Sequence, residues 1–354
     1  MNTKSAYMPL PAYTRAFEPA GAHTATAPAQ PGPAPVPGTI PIFFTIDDGY
    51  APWLAVALRS LLLHADPARH YTIVVLHEPL DPGHRAKLEA IAADYPNAEL
   101  RFVAMDGKIE GIHDRMGNRL RADYFTLTIF FRLFIPEMFP EWDKGIYLDA
   151  DIVVPGDISQ LFDTDLGGNL IGACRDSSIV DIPGLVKFTD EGAGVGIENY
   201  INSGVLLMNM KGLREAHLER RFLELLHTYH FDCVAPDQDY LNVLCHGKIF
   251  YLGPEWDAMP EEGKPEMPRP KLIHYNLFMK PWCYDEIPYR SYFWQHVPGT
   301  GFEQEIHAFK DGYPPEQKAK DEACLRRLEA RGEQIAEQPG NFASVFNSGK
   351  EARL

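Results

Sequence analysis

An alternation of strand-like and helix-like segments constrains the fold of this chain more than any other feature. Residues 42–46 form the continuous apolar run of a buried strand, and leucines at helical spacing follow Pro52. A second strand is predicted over residues 71–77, a helix over 81–93 and a third strand over 100–104. Strands that alternate with helices form parallel sheets with right-handed crossovers. The sequence therefore predicts an α/β fold.

Further elements extend this pattern along the chain. Helices are predicted over residues 123–138, 211–229, 237–244 and 315–338. Strands are predicted over 147–154, 171–174, 204–208 and 272–275, and a surface loop over 176–199. The chain then divides into a disordered Ala- and Pro-rich segment over 1–38, an α/β domain over 39–285 and a partly helical extension over 286–354.

Two carboxylates are set into the apolar strand predicted over residues 147–154. Because side chains alternate along a strand, we expect Asp149 and Asp151 to point to the same side. Two unpaired like charges beside an apolar run cost on the order of several kcal/mol, and a divalent cation would remove that cost. Carboxylate oxygens suit hard ions such as Mg²⁺ or Mn²⁺. The alternative is that both residues cap a turn at the strand end.

Charge and cysteine usage restrict the partners and the compartment. The formal net charge is −16, which argues against nucleic acid and against a nonspecific hold on anionic lipid. The five cysteines are scattered without a C-x-x-C pair, as is typical of reduced thiols in the cytosol. No apolar run approaches the roughly 18 residues of a membrane-spanning helix. We expect a cytoplasmic protein, with peripheral contact at the inner face of a membrane left open.

Polar motifs sit where three of the predicted strands should have their carboxyl ends, the positions at which open α/β sheets bind ligands. They are Asp47-Asp48-Gly49-Tyr50, Asp149-Ala150-Asp151, and His274 with Lys280. Each has a plainer alternative. The Asp47 and Asp48 pair could cap the following helix, His274 could be a buried core histidine, and Lys280 could be an ordinary surface charge.

Taken in order along the chain, these motifs and several further segments resemble one enzyme family. The further segments are Arg132 in its apolar helix, Asn202-Ser203-Gly204-Val205-Leu206-Leu207-Met208-Asn209, Pro236-Asp237-Gln238-Asp239-Tyr240-Leu241-Asn242, and Lys280-Pro281-Trp282 after His274-Tyr275. Over about residues 40–285 the chain resembles the retaining glycosyltransferases of family eight, which include lipopolysaccharide galactosyl- and glucosyltransferases and glycogenin. The resemblance implies a GT-A catalytic domain over 39–285, with a mixed, mainly parallel sheet and helices on both faces.

The resemblance also implies a metal and a nucleotide-sugar donor. Asp149, Asp151 and His274 would ligate the metal, and this oxygen and imidazole set favours Mn²⁺, with Mg²⁺ as the alternative. The metal would bridge the diphosphate of a UDP-sugar and stabilise the departing UDP. The donor-binding residues implied are Thr45, Asp47, Asp48, Tyr50, Arg132, Asp149, Ala150, Asn202, Ser203, Gly204, Asp237, Gln238 and Lys280.

Three of these residues are expected to act in the reaction itself. Lys280 would add positive charge at the leaving diphosphate, and Asp237 and Gln238 would line the sugar. Gln238 is the family residue nearest the anomeric carbon, and its neutral amide is a poor nucleophile. Front-face attack is therefore favoured over a covalent intermediate, although the sequence leaves both open. The expected activity is retaining transfer of glucose or galactose from a UDP-sugar to a glycan, lipid-linked or other hydroxyl acceptor.

The chain departs from the family pattern at two positions. Gly49 stands where family members often have Asn, so a side-chain contact to the nucleotide is lost. Leu277 stands where the family often has Gly, three residues after the metal-binding His. The phosphate-binding loop is therefore expected to differ locally, with help from the side chain of Asn276.

Two other function classes fit part of the sequence. Haloacid-dehalogenase phosphatases carry a similar Asp-x-Asp motif after an apolar strand, but they place it near the start of the domain and need a later acidic motif, for which Asp157 comes too soon. A non-catalytic nucleotide-sugar binding protein on the same fold is the second alternative. The choice of sugar, the acceptor and the oligomeric state are left open.

Overall fold

The computed structural model describes residues 36, 38–105, 127–314 and 316–354. Its strands are β1 (Ile40–Ile46), β2 (Tyr71–His77), β3 (Ala98–Ala104), β4 (Gly145–Leu148), β5 (Ile152–Val153), β6 (Ile171–Ala173), β7 (Val205–Met208), β8 (Ile249–Tyr251) and β9 (Ile273–His274). Its α-helices are α1 (Ala51–His64), α2 (Pro82–Ala93), α3 (Ile135–Met138), α4 (Ser159–Phe162), α5 (Pro183–Lys187), α6 (Met210–Glu215), α7 (Leu218–Tyr229), α8 (Pro236–Leu244), α9 (Arg290–Trp294), α10 (Glu303–Gly312), α11 (Gln317–Glu337) and α12 (Phe342–Asn347).

The main sheet has seven strands in the order β3-β2-β1-β4-β7-β6-β8. The pairs β1–β2, β2–β3, β1–β4 and β6–β8 are parallel, whereas β7 runs antiparallel to β4 and β6. The sheet is thus mixed and mostly parallel, which confirms the predicted α/β class. Because the strand order reverses between β1 and β4, the carboxyl ends of these two strands flank the crevice where open α/β sheets bind ligands.

Apolar side chains cover both faces of the sheet, which explains why its strands read as nearly continuous apolar runs. Phe43 and Tyr147 belong to the buried cluster that includes residues of α3, α6, α7 and α8. Phe44 and Leu148 belong to the opposite cluster, which includes residues of α1 and α2. The predicted helices on both faces are therefore confirmed. In the described ranges, every helix is too short or too polar to cross a membrane.

The strand predicted over residues 147–154 is interrupted, so that prediction is wrong in detail. The chain leaves the main sheet after Leu148, turns through residues 149–151, and re-enters strand geometry as the two-residue β5. β5 pairs antiparallel with β9, with Ile152 opposite His274. The main-chain N–H of Asp149 donates to Gly204 at 2.8 Å, and the carbonyl of Asp151 accepts from the N–H of Tyr275 at 3.0 Å. These two bonds satisfy backbone groups at the bend, where the main-sheet ladder ends.

Three further predictions about local structure need correction. The helix predicted over 123–138 lies outside the described residues as far as 126. From there the chain forms a 3-10 helix, Leu127–Leu133, and then the short helix α3. A continuous α-helix is interrupted here because Pro136 has no N–H to donate to the preceding turn. The helix predicted over 211–229 is split into α6 and α7 at His217, whose φ is 57°. The loop predicted over 176–199 contains short helical turns, including α5, because Leu185 and Phe188 are buried in the core.

The C-terminal residues pack directly on the α/β domain. Gly184 in α5 faces Glu329 in α11 so closely that an added Cβ would lie 2.7 Å from the carbonyl oxygen of Glu329. Phe342 in α12 joins the buried cluster around α7 and α8, and Phe302 joins the cluster around α1. The predicted helix over 315–338 is confirmed as α11. The disorder predicted for residues 1–38 lies outside the described residues apart from positions 36 and 38.

Candidate active site

Three side chains with metal-ligand chemistry converge at the bend between β4 and β5. Pairing of β9 with β5 brings His274 beside Asp151, and one ligand atom from each of Asp149, Asp151 and His274 lies within 4.8 Å of the others. Nε2 of His274 is 3.3 Å from Oδ1 of Asp151 and 3.7 Å from Oδ2 of Asp149. The structure therefore brings together the three residues expected to ligate a metal.

Two observations show that this cluster fits a divalent cation. Oδ1 of Asp151 is buried and accepts no hydrogen bond from a described residue, so an oxygen lone pair is left for a ligand. Gly204 faces the cluster so closely that a Cβ there would lie 2.3 Å from Cε1 of His274 and 2.7 Å from Oδ2 of Asp149. Two carboxylate oxygens and an imidazole nitrogen form a donor set that suits Mn²⁺.

His274 is oriented by a carboxylate that the sequence reasoning missed. Nδ1 of His274 lies 3.1 Å from Oδ1 of the fully buried Asp257, which leaves Nε2 facing the two aspartates. A second carboxylate on the far ring nitrogen is a common way to fix the tautomer of a metal-binding histidine. Burial opposes charge on His274, but Asp257 and Asp151 outweigh it and raise its pKa to about 10. In the sequence, Asp257 is marked only by its place in Trp256-Asp257-Ala258, ahead of the strand predicted over 272–275.

Arg132 joins several predicted donor-binding residues. Its Nη2 donates to Oδ1 of Asp149 at 2.9 Å, and its Nε lies 3.1 Å from Oδ2 of Asp237. Nη1 donates to the carbonyl and the hydroxyl of Ser203 at 2.6 and 3.0 Å. The guanidinium also lies 4.3 Å above the ring centre of Tyr147, whose hydroxyl donates to Asp149 at 2.7 Å. A buried charge is tolerated here because it is paired on several sides.

Gln238 is held in place by both ends of its amide. Its Oε1 accepts the N–H of Ser203 at 3.1 Å, and its Nε2 donates to Oδ2 of Asp176 at 2.9 Å. Asn202 donates to the same oxygen of Asp176 at 3.3 Å and accepts the N–H of Gly204 at 2.8 Å. Asp176 is 1% exposed and was not predicted as a site residue. In the sequence, Asp176 is marked only as a polar residue soon after the strand predicted over 171–174.

Lys280 contacts one carboxylate of the cluster, Asp151, whereas Arg132 contacts the other, Asp149. Its Nζ donates to Oδ2 of Asp151 and to the carbonyl oxygen of Tyr275. Burial raises the pKa of Asp151, but the charges of Lys280 and His274 outweigh burial and hold that pKa well below its usual value. Ala150 is buried between the two aspartates. The carboxylate pair is thus balanced by Arg132, Lys280 and the imidazole of His274.

The predicted nucleotide-binding residues lie at the carboxyl end of β1. Thr45 is linked to Asp149 through Tyr147, because its Oγ1 is 2.9 Å from the Tyr147 hydroxyl, which donates to Asp149. Asp47 caps a short 3-10 turn by accepting the N–H of Tyr50 at 3.1 Å, and the ring of Tyr50 is exposed. Asp48 points toward α2, where its Oδ1 accepts the N–H of Asp81 at 2.8 Å. The plainer capping role therefore describes the contacts of Asp47, whereas Asp48 contacts the start of α2.

The loop between His274 and Lys280 carries backbone strain at the predicted point of departure. Leu277 has a φ of 54°, in the left-handed region that favours glycine. Oδ1 of Asn276 accepts the N–H of Leu277 at 2.8 Å, and its Nδ2 donates to Oγ of Ser178 at 3.0 Å. Asn276 therefore stabilises its own loop through these two hydrogen bonds. Leu277 adopts the left-handed backbone conformation that a glycine would adopt there.

Comparisons with known proteins agree with this geometry. The glycosyltransferase GlyE of Streptococcus pneumoniae serotype 4 is 27% identical over 254 residues, which cover 68% of this chain and 56% of that protein. The lipopolysaccharide 1,2-glucosyltransferase of Escherichia coli K12 is 30% identical over 171 residues, which cover 45% of this chain and 50% of that protein. The chain thus spans about half the length of these two curated relatives.

A solved structure and a family model cover more of the fold. The galactosyltransferase LgtC in complex with donor and acceptor sugar analogues superposes with a TM-score of 0.56 at 26% identity, over 79% of this chain and all of that one. The model of glycosyl transferase family 8 matches residues 41–286, which include every predicted site residue. This chain is therefore a member of glycosyl transferase family 8.

Proposed function

We propose that the protein is a retaining, metal-dependent glycosyltransferase that moves a hexose, glucose or galactose, from a UDP-sugar to a hydroxyl acceptor. The observation that carries this proposal is the convergence of Asp149, Asp151 and His274 beside Lys280 and Arg132. A carboxylate and imidazole cluster with two cations beside it suits the diphosphate of a nucleotide sugar. The family membership and the galactosyltransferase LgtC, solved with donor and acceptor sugar analogues, support the same activity.

Asp149, Asp151 and His274 would hold the cation, and Mn²⁺ suits their mixed oxygen and nitrogen set, with Mg²⁺ as the alternative. When bound, the cation supplies positive charge at the diphosphate as the sugar leaves. Lys280 supplies a second positive charge next to the proposed cation site, since its Nζ contacts Asp151. Such charges lower the barrier when they are stronger in the transition state than in the ground state.

The contacts of Gln238 favour front-face attack over a covalent intermediate. Its Oε1 is shared with the N–H of Ser203, and its Nε2 is held by Asp176, so the neutral amide oxygen has little freedom to act as a nucleophile. In front-face attack the bond from the anomeric carbon to the phosphate oxygen breaks while the acceptor oxygen bonds to the same face. The acceptor proton then passes to the leaving phosphate oxygen. Arg132 and Asp237 would orient the sugar during this exchange.

The test is a panel of UDP-glucose and UDP-galactose with Mn²⁺ and sugar acceptors, read by UDP release, product mass and the anomeric configuration of the product. We expect one donor to be used with retention. Asp149→Ala, Asp151→Ala and His274→Ala should abolish transfer while circular dichroism shows an intact fold. Wild-type turnover of all three variants in the presence of chelator would refute the metal assignment. Tight UDP-sugar binding without UDP release would favour the non-catalytic alternative.

Lys280→Ala separates binding from chemistry. We expect kcat to fall by about 10²–10³, or about 2–4 kcal/mol, because the lost charge acts where charge develops. The dissociation constant of the UDP-sugar, measured by calorimetric titration with Mn²⁺, should rise much less. A weaker dissociation constant with an unchanged kcat would assign Lys280 to ground-state binding alone.

A further inference from the structure

A cavity of about 810 Å³ adjoins the proposed donor site, and the loop between His274 and Lys280 forms part of its wall. Its volume falls within the range of small-molecule sites. Four of its lining residues lie within two positions of a site residue in the sequence. They are Ser178, Met259, Asn276 and Met279, which neighbour Asp176, Asp257, His274 and Lys280, respectively. Ser178 also donates to Oδ1 of Asp176, the carboxylate that holds Gln238. The segments that line the cavity therefore also carry site residues.

The outer wall of this cavity comes from the C-terminal extension. Residues of α11 line it, although α11 lies beyond residues 41–286 that match the family model. Asp321 in α11 anchors this wall, because its Oδ2 accepts from the hydroxyls of Tyr284 and Tyr313 and its Oδ1 accepts from Gln317 at 2.9 Å. Tyr284 follows Lys280 by four residues, so α11 is tied to the segment that carries the proposed leaving-group cation.

The lining combines an apolar surface with an acidic rim. Met259, Leu277, Phe278, Ile287 and Leu325 supply apolar side chains. Seven carboxylates line the cavity against two ammonium groups. An apolar surface suits the C–H faces of sugar rings, whereas carboxylates accept hydrogen bonds from hydroxyl and ammonium groups.

The negative charge of the rim is only partly neutralised. Lys264 is already paired with Asp181 at 3.0 Å and with Glu261. Asp285 is paired outside the cavity lining, with Arg290 at 3.3 Å and Lys310 at 3.1 Å. Three exposed carboxylates remain, and none forms an ion pair with a described residue; they are Glu262, Glu286 and Glu322. With Lys318 as the second ammonium group of the lining, carboxylates still outnumber cations, so a negatively charged ligand would meet a net negative rim.

We infer that this cavity binds the acceptor, that the acceptor is a saccharide without anionic groups, and that α11 sets this selectivity. The inference rests on the proposed function, since it places the acceptor beside the donor site. Like charges facing each other across an interface suppress a wrong partner, whereas opposite charges favour the right one. Glu286 and Glu322 would reject phosphorylated or carboxylated acceptors in this way, and amine-bearing saccharides would be bound best.

The experiment uses glucosides and galactosides that differ only in a hydroxyethyl, aminoethyl or carboxymethyl aglycone. With Mn²⁺ and UDP, calorimetric titration measures binding of each, and turnover with UDP-sugar measures kcat/KM. We expect the carboxymethyl compounds to be at least about tenfold poorer than the hydroxyethyl compounds at low salt, with the difference shrinking as salt rises. Glu286→Gln combined with Glu322→Gln should reduce that ratio severalfold. Asp94→Asn, which removes an exposed charge at the C-terminal end of α2, should not change it.

A second variant tests the wall itself. Leu325→Trp should raise the acceptor KM about tenfold or more by filling the cavity, while Leu325→Met, a volume-conserving change, should not. The UDP dissociation constant should be the same in both. Equal binding of carboxymethyl and hydroxyethyl saccharides, no saccharide binding at all, or a wild-type acceptor KM in Leu325→Trp would overturn the inference. Selective saccharide binding without any UDP release would instead refute the proposed function and leave the cavity assignment standing.

Discussion

Gly204 lies at the closest approach of backbone to the proposed metal ligands, so Gly204→Ala is a sharp test of the site. The added Cβ would lie 2.3 Å from Cε1 of His274 and 2.7 Å from Oδ2 of Asp149. Carbon atoms in contact normally lie about 3.5–4.0 Å apart, so the imidazole must retreat by roughly 1 Å. The ring is buried and its Nδ1 lies 3.1 Å from Asp257, so this retreat breaks the geometry of the cluster.

The size of the effect follows from what a metal site tolerates. Ligand distances must lie within about 0.2 Å of their ideal values, and disturbed ligand orientation typically costs about 10–100-fold in metal affinity. We expect a loss of this size in calorimetric titration of the protein with MnCl₂ in the presence of UDP. Overpacking should also lower the free energy of unfolding by about 1–3 kcal/mol in urea denaturation.

Gly168→Ala is the matched control, because a Cβ at Gly168 meets no heavy atom within 4 Å. It should leave both the Mn²⁺ affinity and the unfolding free energy close to wild type. Wild-type Mn²⁺ affinity in Gly204→Ala would refute the reasoning, because it would mean that the ligand atoms of Asp149 and His274 do not converge on this glycine.

Three further predictions test other parts of the site and core. Gln238→Ala should cost about 1–3 kcal/mol of unfolding free energy, because it leaves the buried N–H of Ser203 without its acceptor and removes one of the two donors to Oδ2 of Asp176. The same variant should lose transfer with UDP affinity nearly unchanged; a tenfold weaker UDP affinity by calorimetry would place Gln238 at the nucleotide instead. Leu277→Gly should be about 1 kcal/mol more stable in urea than Leu277→Ala, since only glycine adopts a φ of 54° freely, and equal stabilities would contradict the strain. Burial lowers the pKa of His296 below its ordinary value, so its contribution to stability is present above about pH 6.5 and is lost as the pH falls through the lowered pKa. His296→Gln should therefore show a smaller drop in Tm from pH 7.5 to pH 5 than wild type, and an equal drop would show that other groups cause the acid sensitivity.

Asp149 and Asp151 converge for a different physical reason from the one that the sequence indicates. The sequence predicted that Asp149 and Asp151 face one ligand because they alternate along a strand. They do converge, but on a bend, and it is the pairing of β9 with β5 that places His274 beside them. Asp176 and Asp257 escaped prediction because each is a lone carboxylate in an irregular segment. Their importance comes from the residues they hold, Gln238 and His274, which lie far away in sequence.

Local patterns in the sequence determined the α/β class, the order of most strands and helices, and the motifs at the ends of the strands. These are properties of hydrophobic periodicity and of residue type, which act over a few residues. Tertiary packing alone decided which residues meet across long separations. Arg132 contacts Asp149, Ser203 and Asp237 because burying one guanidinium requires several partners at once. Packing also converted the expected loop over 176–199 into helical turns and placed α11 against the cavity, since apolar side chains there could be buried only against each other.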